Sequence, residues 1–589
     1  MVQLTLGIIL LAAPFLLLTI FQDKKKGAVY ILFSLLLFHT ALAFLTQALG
    51  VFYYNIVISA TVLADVFVLL IWRGHRKNLT IKASAVDWVL ILIVIISFLS
   101  LYQVHYNYTG KVNFATDQTV AYHEVKNMKY VYPYFSDEWY AVLFIENSID
   151  SHALPLTGFG GEYFLNIEMF FHSLVSEIML ILALDPLTQY TLISIFANIL
   201  IVALGYIFLR INNVSKLSAG VASLFILYIA SGANLPGIWN FIPLHLGIIF
   251  CLIGFCFLSS GNFRLAASAL LLVLIFYAPL IIFYGTALLV FCLFRFNALI
   301  KKHGARIAVF AVLTLAASPV AYVGLAISPF AGALDFVLSK VFYTSFYGSN
   351  LNPDFAFYNI IPLVAIFFAL LGLRAVWENS KWLLSVLFLG AVFWIFYFFT
   401  TSRFFIEYER IVFFASILAC VISGFGLNYI ELIAGKFKNA FKILQAGLIV
   451  SFLLLAPFYT QAENWKKFVV RDIGGGTREF FPKAPANNYL TQEDLRVFEG
   501  INNKRFLSVP WKGTVIGVTT NNFPLAIKDG TISMGRDAPA EFLFYDCGSK
   551  AVMAEREKID YVYLPEFDCP QFKEINKSGE GFKLYEVIN

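Results

Sequence analysis

The chain has 589 residues, of which 59% are hydrophobic and only 13% are charged, and its mean hydropathy is +0.76. Soluble domains carry about a quarter charged residues, so this composition excludes a soluble fold. The net charge of +5 lies mostly in short loops between hydrophobic runs, which indicates a membrane-topology signal and no nucleic-acid partner.

Hydrophobic runs recur along the chain at about 16 to 22 residues, the length that crosses a hydrocarbon layer about 30 Å thick. Four of them precede the first long polar segment, at 2–21, 27–47, 51–72 and 85–102. The later runs lie at 164–184, 189–209, 217–232, 240–259, 265–295, 307–327, 357–374, 382–400, 411–430 and 443–460. No positive charge precedes the first run and Lys24–Lys26 follow it, which predicts an uncleaved first span. Pro279 interrupts the run at 265–295, and counting its two parts separately gives about fifteen segments.

Basic residues predict the orientation of these spans. The positive-inside rule assigns to the cytoplasm the basic clusters at 24–26, 73–82, 301–306 and 436–442. The segments predicted outside are then the N-terminus, the loops 103–163, 328–356 and 401–410, and everything after 461. Two outside termini require an even number of crossings, so about 14 segments span the membrane and one does not. If Arg210 and Lys216 are cytoplasmic, the partial segment is 164–184; otherwise the Pro279 pair is one bent helix.

The composition changes near residue 462, where Gly474–Gly476 and nearby prolines mark a linker. The tail that follows is predicted to be a small extracytoplasmic α/β domain, with helices starting near Thr491 and Ser549. Its predicted strands are 505–509, 514–519, 541–545, 559–564 and 582–588. Cys547 and Cys569 form a disulfide if this tail faces an oxidising compartment, and stay free thiols otherwise. The predicted organisation is therefore N-terminal helices at 1–102, an external loop at 103–163, a helical core at 164–461 and the α/β domain at 462–589.

An acidic pair, Asp137 and Glu138, lies in the first external loop within the sequence YPYFSDEWY. A mostly apolar stretch follows, and Pro155 closes the segment. This order is typical of carboxylates held at the membrane surface by an interfacial helix. The alternative is that Ser136, Asp137 and Glu138 only cap that helix and complement its dipole.

This arrangement resembles the GT-C superfamily of membrane glycosyltransferases, which includes protein O-mannosyltransferases, lipid A aminoarabinose transferases and oligosaccharyltransferases. Members carry an acidic motif in the first large external loop, then a juxtamembrane helix and a Leu-Pro-like exit, as in Asp137 to Pro155. Several also end in a small outward-facing α/β domain. The acidic loop commonly follows the first helix in that superfamily, whereas here it follows the fourth. The resemblance therefore implies a GT-C-like core with additional N-terminal helices.

The resemblance implies an inverting transfer of a sugar from a polyprenyl-phosphate donor to a glycan, lipid or protein acceptor. Asp137 matches the catalytic carboxylate and is expected to act as general base, with Glu138 as its neighbour or substitute. The lipid phosphate that leaves needs cations, and arginine suits it because its guanidinium binds in a bidentate manner. We expect this role for Arg403 and Arg410. The alternative is that both snorkel or pair with the nearby Glu407 and Glu409.

Other polar residues are weaker candidates. Lys340 and Tyr343, in the 328–356 loop, are expected near the phosphate unless the lysine is merely solvated. Glu162, Glu168 and His172 could support Asp137, because Glu168 and His172 would share a helix face; a structural pair is the alternative. The isolated intramembrane groups His245 and Asp65 have no partner identifiable from the sequence.

Oligosaccharyltransferase-like members use a divalent cation, so the resemblance leaves open Mg²⁺ or Mn²⁺, although adjacent carboxylates point different ways on a helix and no third ligand is evident. No other cofactor is expected. The expected location is a bacterial inner membrane or a plasma membrane. Two other functions remain open: a transporter or flippase of lipid-linked or polar solutes, and a non-catalytic membrane subunit.

Overall fold

The computed structural model describes a defined part of the chain, namely residues 2–19, 24–74, 87–115, 120–133, 136–156, 158–159, 166, 168–229, 237–295, 361–400, 408–460, 490–527, 538–578 and 581–588. Most of the region up to residue 460 is helical. Its helices are α1 Val2–Thr19, α2 Lys24–Ala48, α3 Tyr54–Gly74, α4 Trp88–Tyr106, α5 Ser136–Ser151, α6 Met169–Leu182, α7 Pro186–Ile211, α8 Lys216–Phe225, α9 Pro243–Ser259, α10 Phe263–Tyr277, α11 Ile281–Arg295, α12 Leu363–Asn379, α13 Lys381–Thr400, α14 Tyr408–Ile433 and α15 Lys438–Leu455.

Length and composition make this chain an integral membrane protein. Within the described ranges, 6 helical stretches are long and apolar enough to cross a membrane, and shorter apolar helices accompany them. One of the six, Phe263–Arg295, contains the interruption at Pro279. The share of buried residues differs widely between these stretches, from 89% for Glu409–Ile433 to 17% for Gly435–Phe458. Some helices therefore form the centre of the bundle and others present their apolar surface to lipid. The count of about 14 crossings stays a prediction.

The run interrupted at Pro279 is a hairpin of two short helices and not one bent helix. Tyr284 in α11 donates a hydrogen bond to the carbonyl of Ala266 in α10 at 2.8 Å. Gly261, just before α10, lies against the guanidinium of Arg295, which ends α11. The turn is the 3₁₀ segment Ala278–Leu280. Proline lacks the N–H that a continuous helix needs at this point, so the helix breaks here, and the contacts between α10 and α11 set the reversal.

Contacts at one end of the bundle help to identify the hydrophobic segment that does not cross the whole membrane. Lys216 lies 3.7 Å from Asp87, which immediately precedes α4 and follows the basic stretch 73–82. If the orientation predicted from the basic loops holds, this contact makes Lys216 cytoplasmic, and the run at 164–184 is then predicted to be the partial segment. In agreement, α6 has 14 residues, and its Ile181 packs on Phe52 beside the α2–α3 turn.

The external loop and the tail contain the strands. A hairpin of β1 Tyr108–Ala115 and β2 Val120–Met128 precedes the acidic pair. The tail contains a five-stranded sheet of order β4-β3-β5-β7-β6, in which β3 pairs with β4 and β5 in parallel and the other pairs are antiparallel. Its strands are β3 Arg505–Ser508, β4 Phe523–Pro524, β5 Tyr561–Pro565, β6 Phe572–Lys577 and β7 Phe582–Val587, and its helices are α16 Gln492–Val497, α17 Pro510–Thr520, α18 Ala538–Phe544 and α19 Cys547–Glu557.

Two of the strands predicted in the tail are wrong. The β-branched run at 514–519 lies in α17, and 541–545 overlaps α18. Parallel neighbours such as β3 and β4 cannot be joined by a tight turn, and the connection between them takes the form of a helix with Pro510 at its first position. This tertiary requirement outweighs the strand propensity of valine and threonine. The helix predicted from Ser549 begins at Cys547, with Asp546 as its cap.

The tail domain packs on the external loop and on α5. Val515 and Val518 of α17 belong to the same buried apolar cluster as the membrane helices. The backbone N–H of Leu490 donates to the hydroxyl of Tyr130 at 2.9 Å. Gly517 is closely approached by the ring of Phe159, at a distance that leaves no room for a side chain. The tail domain is therefore held directly over the helix that carries the acidic pair.

Candidate active site

Asp137 forms an ion pair at the head of α5. Arg410, in the first turn of α14, donates from Nη2 to Asp137 Oδ2 at 2.9 Å. The two side chains are 16% exposed for Arg410 and 25% exposed for Asp137. The guanidinium of Arg410 also lies 6.0 Å from the ring centre of Tyr277, just before the Pro279 turn. Three distant parts of the sequence therefore meet around one partly accessible carboxylate.

Glu138 faces a different partner. It is fully buried, and its Oε1 accepts a hydrogen bond from the backbone N–H of Phe241 at 2.8 Å. Successive helix residues point about 100° apart, which explains why Asp137 and Glu138 reach different groups. Of the two carboxylates, Asp137 is the partly exposed one, and Glu138 is closed off from other molecules.

We expect the effect of a Glu138 substitution to depend on whether the new side chain keeps the hydrogen bond to the Phe241 N–H, and not on its charge. Glu138→Gln keeps an oxygen for the Phe241 N–H, so it should retain most of the activity. Glu138→Ala leaves that N–H buried without an acceptor and should destabilise the fold by about 1–3 kcal/mol. Thermal unfolding in detergent and the initial rate of transfer check both. Loss of transfer in a stably folded Glu138→Gln would instead make Glu138 the base.

His245 and Tyr190 support the same stretch of backbone as Glu138. The His245 ring accepts from the Ile242 N–H at Nδ1 and donates from Nε2 to the Gly237 carbonyl, at 3.3 and 3.0 Å. This pattern fits the neutral Nε2–H tautomer. The hydroxyl of Tyr190 donates to the carbonyl of Phe241. His245, which the sequence left without a partner, is thus part of the surroundings of Glu138.

Glu168 and His172 lie one turn apart at the start of α6, where the His172 N–H donates to the Glu168 carbonyl at 3.2 Å. Glu168 is the residue before the first turn of α6, and His172 has Asn166 as a hydrogen-bond partner, at 2.9 Å between Asn166 Nδ2 and His172 Nδ1. The ring of His172 stacks on Phe144 of α5, with 4.8 Å between ring centres. His172 therefore supports α5 by packing. Glu168 lies within electrostatic range of Tyr190.

The remaining predicted residues have separate outcomes. Arg403, Lys340, Tyr343 and Glu162 lie outside the described residues. Cys547 and Cys569 are joined by a disulfide, with 5.4 Å between their Cα atoms.

A buried intramembrane pair was missed by the sequence reasoning. His39 Nδ1 of α2 lies 2.9 Å from Glu177 Oε1 of α6, and both side chains are buried. Asp65, on α3, is within electrostatic range of His39. The signal was present in the sequence, because ionisable residues inside apolar runs usually have a partner in the bundle. The pair links the N-terminal helices to α6, and thereby to α5.

The described residues do not fit a divalent cation at the acidic pair. They contain no group of three or more His, Cys, Asp or Glu side chains placed to hold a metal ion. Asp137 is bound by Arg410 and Glu138 by a backbone N–H, so the two carboxylates do not converge on one point.

Glu146, two turns beyond Glu138 on α5, has an unusual titration. α5 is not among the spans, and burial together with the nearby Asp185 and Asp150 raises the pKa of Glu146 from 4.5 to about 8. The folded state therefore keeps a proton that the unfolded state has released between these two values. The free energy of unfolding should fall as the pH rises through this window.

We expect Glu146→Gln to remove this pH dependence, because glutamine mimics the protonated acid. The variant should match the parent protein near pH 5 and exceed its stability near pH 9 by about 1–3 kcal/mol. Thermal unfolding across the pH range measures this, with the exposed Glu555→Gln as control. If the free energy of unfolding falls with pH equally in Glu146→Gln and in the parent protein, the raised pKa of Glu146 is contradicted.

No protein-family model and no curated protein sequence matches this chain. Its fold is similar to solved structures of the archaeal oligosaccharyltransferase AglB from Archaeoglobus fulgidus. The complex of AglB with an inhibitory peptide and a dolichol-phosphate matches with 16% identity over 81% of this chain and 69% of AglB, at a TM-score of 0.42. The complex with Zn and sulfate matches with 14% identity over 85% of this chain and 73% of AglB, at a TM-score of 0.43. The form tethered to an acceptor peptide with the NVT sequon matches with 15% identity over 81% of this chain and 69% of AglB, at a TM-score of 0.43.

Proposed function

We propose that this chain is a GT-C-type membrane glycosyltransferase that transfers a sugar from a polyprenyl-phosphate donor to an acceptor on the outer face of the membrane. The observation that carries this proposal is the ion pair between Asp137 and Arg410 at the head of α5. A partly exposed carboxylate next to a cation is what such a transfer needs. The carboxylate takes a proton from the acceptor, and the cation receives the phosphate.

In the proposed reaction, an acceptor hydroxyl or amine attacks the anomeric carbon of the donor. The new glycosidic bond forms as the bond between that carbon and the phosphate oxygen breaks, which inverts the anomeric configuration. Asp137 takes the acceptor proton, and the polyprenyl phosphate leaves with the electron pair. A positioned general base contributes about 10²–10⁴-fold to such a step.

Arg410 is suited to hold the leaving phosphate. It is always protonated, and its planar guanidinium offers several N–H donors, so it can contact Asp137 and a phosphate oxygen together. Its side chain is only 16% exposed, which strengthens its interaction with an anion relative to one in water. The nearby His245 is neutral in the tautomer that its hydrogen bonds define, so it adds no competing positive charge.

The remaining assignments are part of the same proposal. Arg403, Lys340 and Tyr343 provide further contacts to the phosphate, and Glu162 and Glu168 act around Asp137. The tail domain, held over α5, positions the acceptor and shapes the entrance. It and the loop at 103–163 face outside, away from the basic loops.

The test is an assay of the purified full chain in nanodiscs with a panel of polyprenyl-phosphate sugars and candidate acceptors. We expect consumption of one donor with release of polyprenyl phosphate in proportion to glycosylated acceptor. Folded protein that consumes no donor of the panel would overturn the proposal. Movement of intact donor across a vesicle membrane, without release of the phosphate, would favour the flippase alternative.

A further inference from the structure

Residues 237–242, which precede α9, form a buried segment without helical structure. Every residue from Gly237 to Ile242 is buried, although the segment lies among the helices of a membrane bundle. Buried backbone N–H and carbonyl groups must find partners within the protein, because leaving them unpaired costs about as much as a lost hydrogen bond. The identity of these partners therefore shows what holds the segment in place.

The partners are side chains from surrounding helices. The carbonyl of Trp239 accepts from His105 Nε2 of α4 at 3.1 Å and from Ser194 Oγ of α7 at 3.0 Å. Asn198 Nδ2, also of α7, donates to the carbonyl of Asn240 at 2.7 Å. Tyr190, Ser194 and Asn198 follow one another at intervals of four, so they form a polar stripe along one face of α7. This stripe holds one side of the segment.

The other contacts lead to the proposed active site. The N–H of Phe241 is bound by Glu138, the neighbour of Asp137 on α5. His245, which follows the segment and bonds both Gly237 and Ile242, places its ring against Phe413 of α14, with 5.4 Å between ring centres. Phe413 lies three residues after Arg410. The segment therefore contacts the helix that carries the base directly, and it reaches the helix that carries the cation through His245.

We propose that the segment Gly237–Ile242 sets the position of Asp137 relative to Arg410, and that Ser194 and Asn198 are positioning residues that act through it. This inference rests on the proposed function, because it assigns a purpose to the distance between those two side chains. The segment is a suitable spacer since its backbone is fixed on several sides. Loosening the α7 side lets Phe241 and Ile242 shift, and both contacts to the site shift with them.

The test compares Ser194→Ala, and the double variant Ser194→Ala/Asn198→Leu, with the control Ser423→Ala. Ser194 and Ser423 are both fully buried, but Ser423 bonds only the Cys420 carbonyl of its own helix in the described part of the chain. We expect kcat per folded molecule to fall by about 10- to 100-fold in the double variant, and less in Ser194→Ala, with the KM for donor nearly unchanged. Ser194→Thr, which keeps the hydroxyl, should recover the activity, and Ser423→Ala should resemble the parent protein.

Hydrogen exchange measured by mass spectrometry gives a readout besides activity. We expect Ser194→Ala and the double variant to speed exchange in peptides that cover 237–242 and also in those that cover the starts of α5 and α14. Faster exchange at 237–242 alone, or an unchanged kcat in the folded double variant, would overturn the proposal. If the parent protein transfers no sugar, the proposed function fails, and the exchange pattern still decides whether the segment couples the two helices.

Discussion

Asp137→Asn should lower the rate of sugar transfer by about 10²–10⁴-fold, because it preserves the shape of the side chain but removes the base. The loss should appear in kcat, and the KM for the donor should not rise, because removing the carboxylate 2.9 Å from Arg410 also removes its repulsion of a bound phosphate. Initial rates with purified protein in nanodiscs, normalised to the folded fraction, measure it.

Asp150→Asn is the matched control for this prediction. It makes the same chemical change on the same helix, at an exposed position near the other end of α5. That variant should keep nearly full activity. If folded Asp137→Asn transfers sugar as fast as Asp150→Asn, Asp137 is not the base, and the non-catalytic reading of the chain gains support.

Arg410→Gln should raise the KM for the polyprenyl-phosphate donor by about 10- to 150-fold, the equivalent of one lost charge-assisted hydrogen bond of about 1.5–3 kcal/mol. Arg410→Lys keeps the charge but loses the bidentate geometry, so its KM should lie between those of the parent protein and Arg410→Gln. Steady-state kinetics over a range of donor concentrations measure both values.

Arg374→Gln is the matched control for the arginine. Arg374 is exposed on α12, where it pairs with Glu378 four residues further along the helix. Such a surface pair contributes little, so this variant should leave the kinetics unchanged. If Arg410→Gln lowers kcat while the KM for donor stays constant, Arg410 serves only to hold Asp137 in place, and the phosphate is bound elsewhere.

The sequence by itself determined the membrane character, the positions of most helices in the described ranges and the presence of an α/β tail. These follow from local properties, because an apolar run of span length has few alternatives to a helix. The acidic pair was also visible, since carboxylates after a long polar loop are conspicuous in such a composition. In the tail, three of the five predicted strands overlap observed strands, namely β3, β5 and β7.

The tertiary structure determined the contacts between residues that lie far apart in the sequence. Asp137 and Arg410 are 273 residues apart, and Glu138 and Phe241 are 103 apart, so no local pattern could pair them. The spacing of four residues indicates that Tyr190, Ser194 and Asn198 share one helix face. It does not show that this face binds the backbone of residues 237–242. The Pro279 hairpin and the helix at 514–519 were likewise set by packing, which outweighs local propensity wherever distant segments must fit together.

The same reasoning divides the roles of the two acidic residues. Their sequence made them equivalent candidates, because adjacent carboxylates differ in nothing that a sequence pattern records. Only the direction of each side chain in the fold separates them, since one faces a cation at a partly open surface and the other a buried backbone N–H. Burial and hydrogen-bond geometry depend on which helices surround a residue, and that is a property of the assembled bundle and not of the motif.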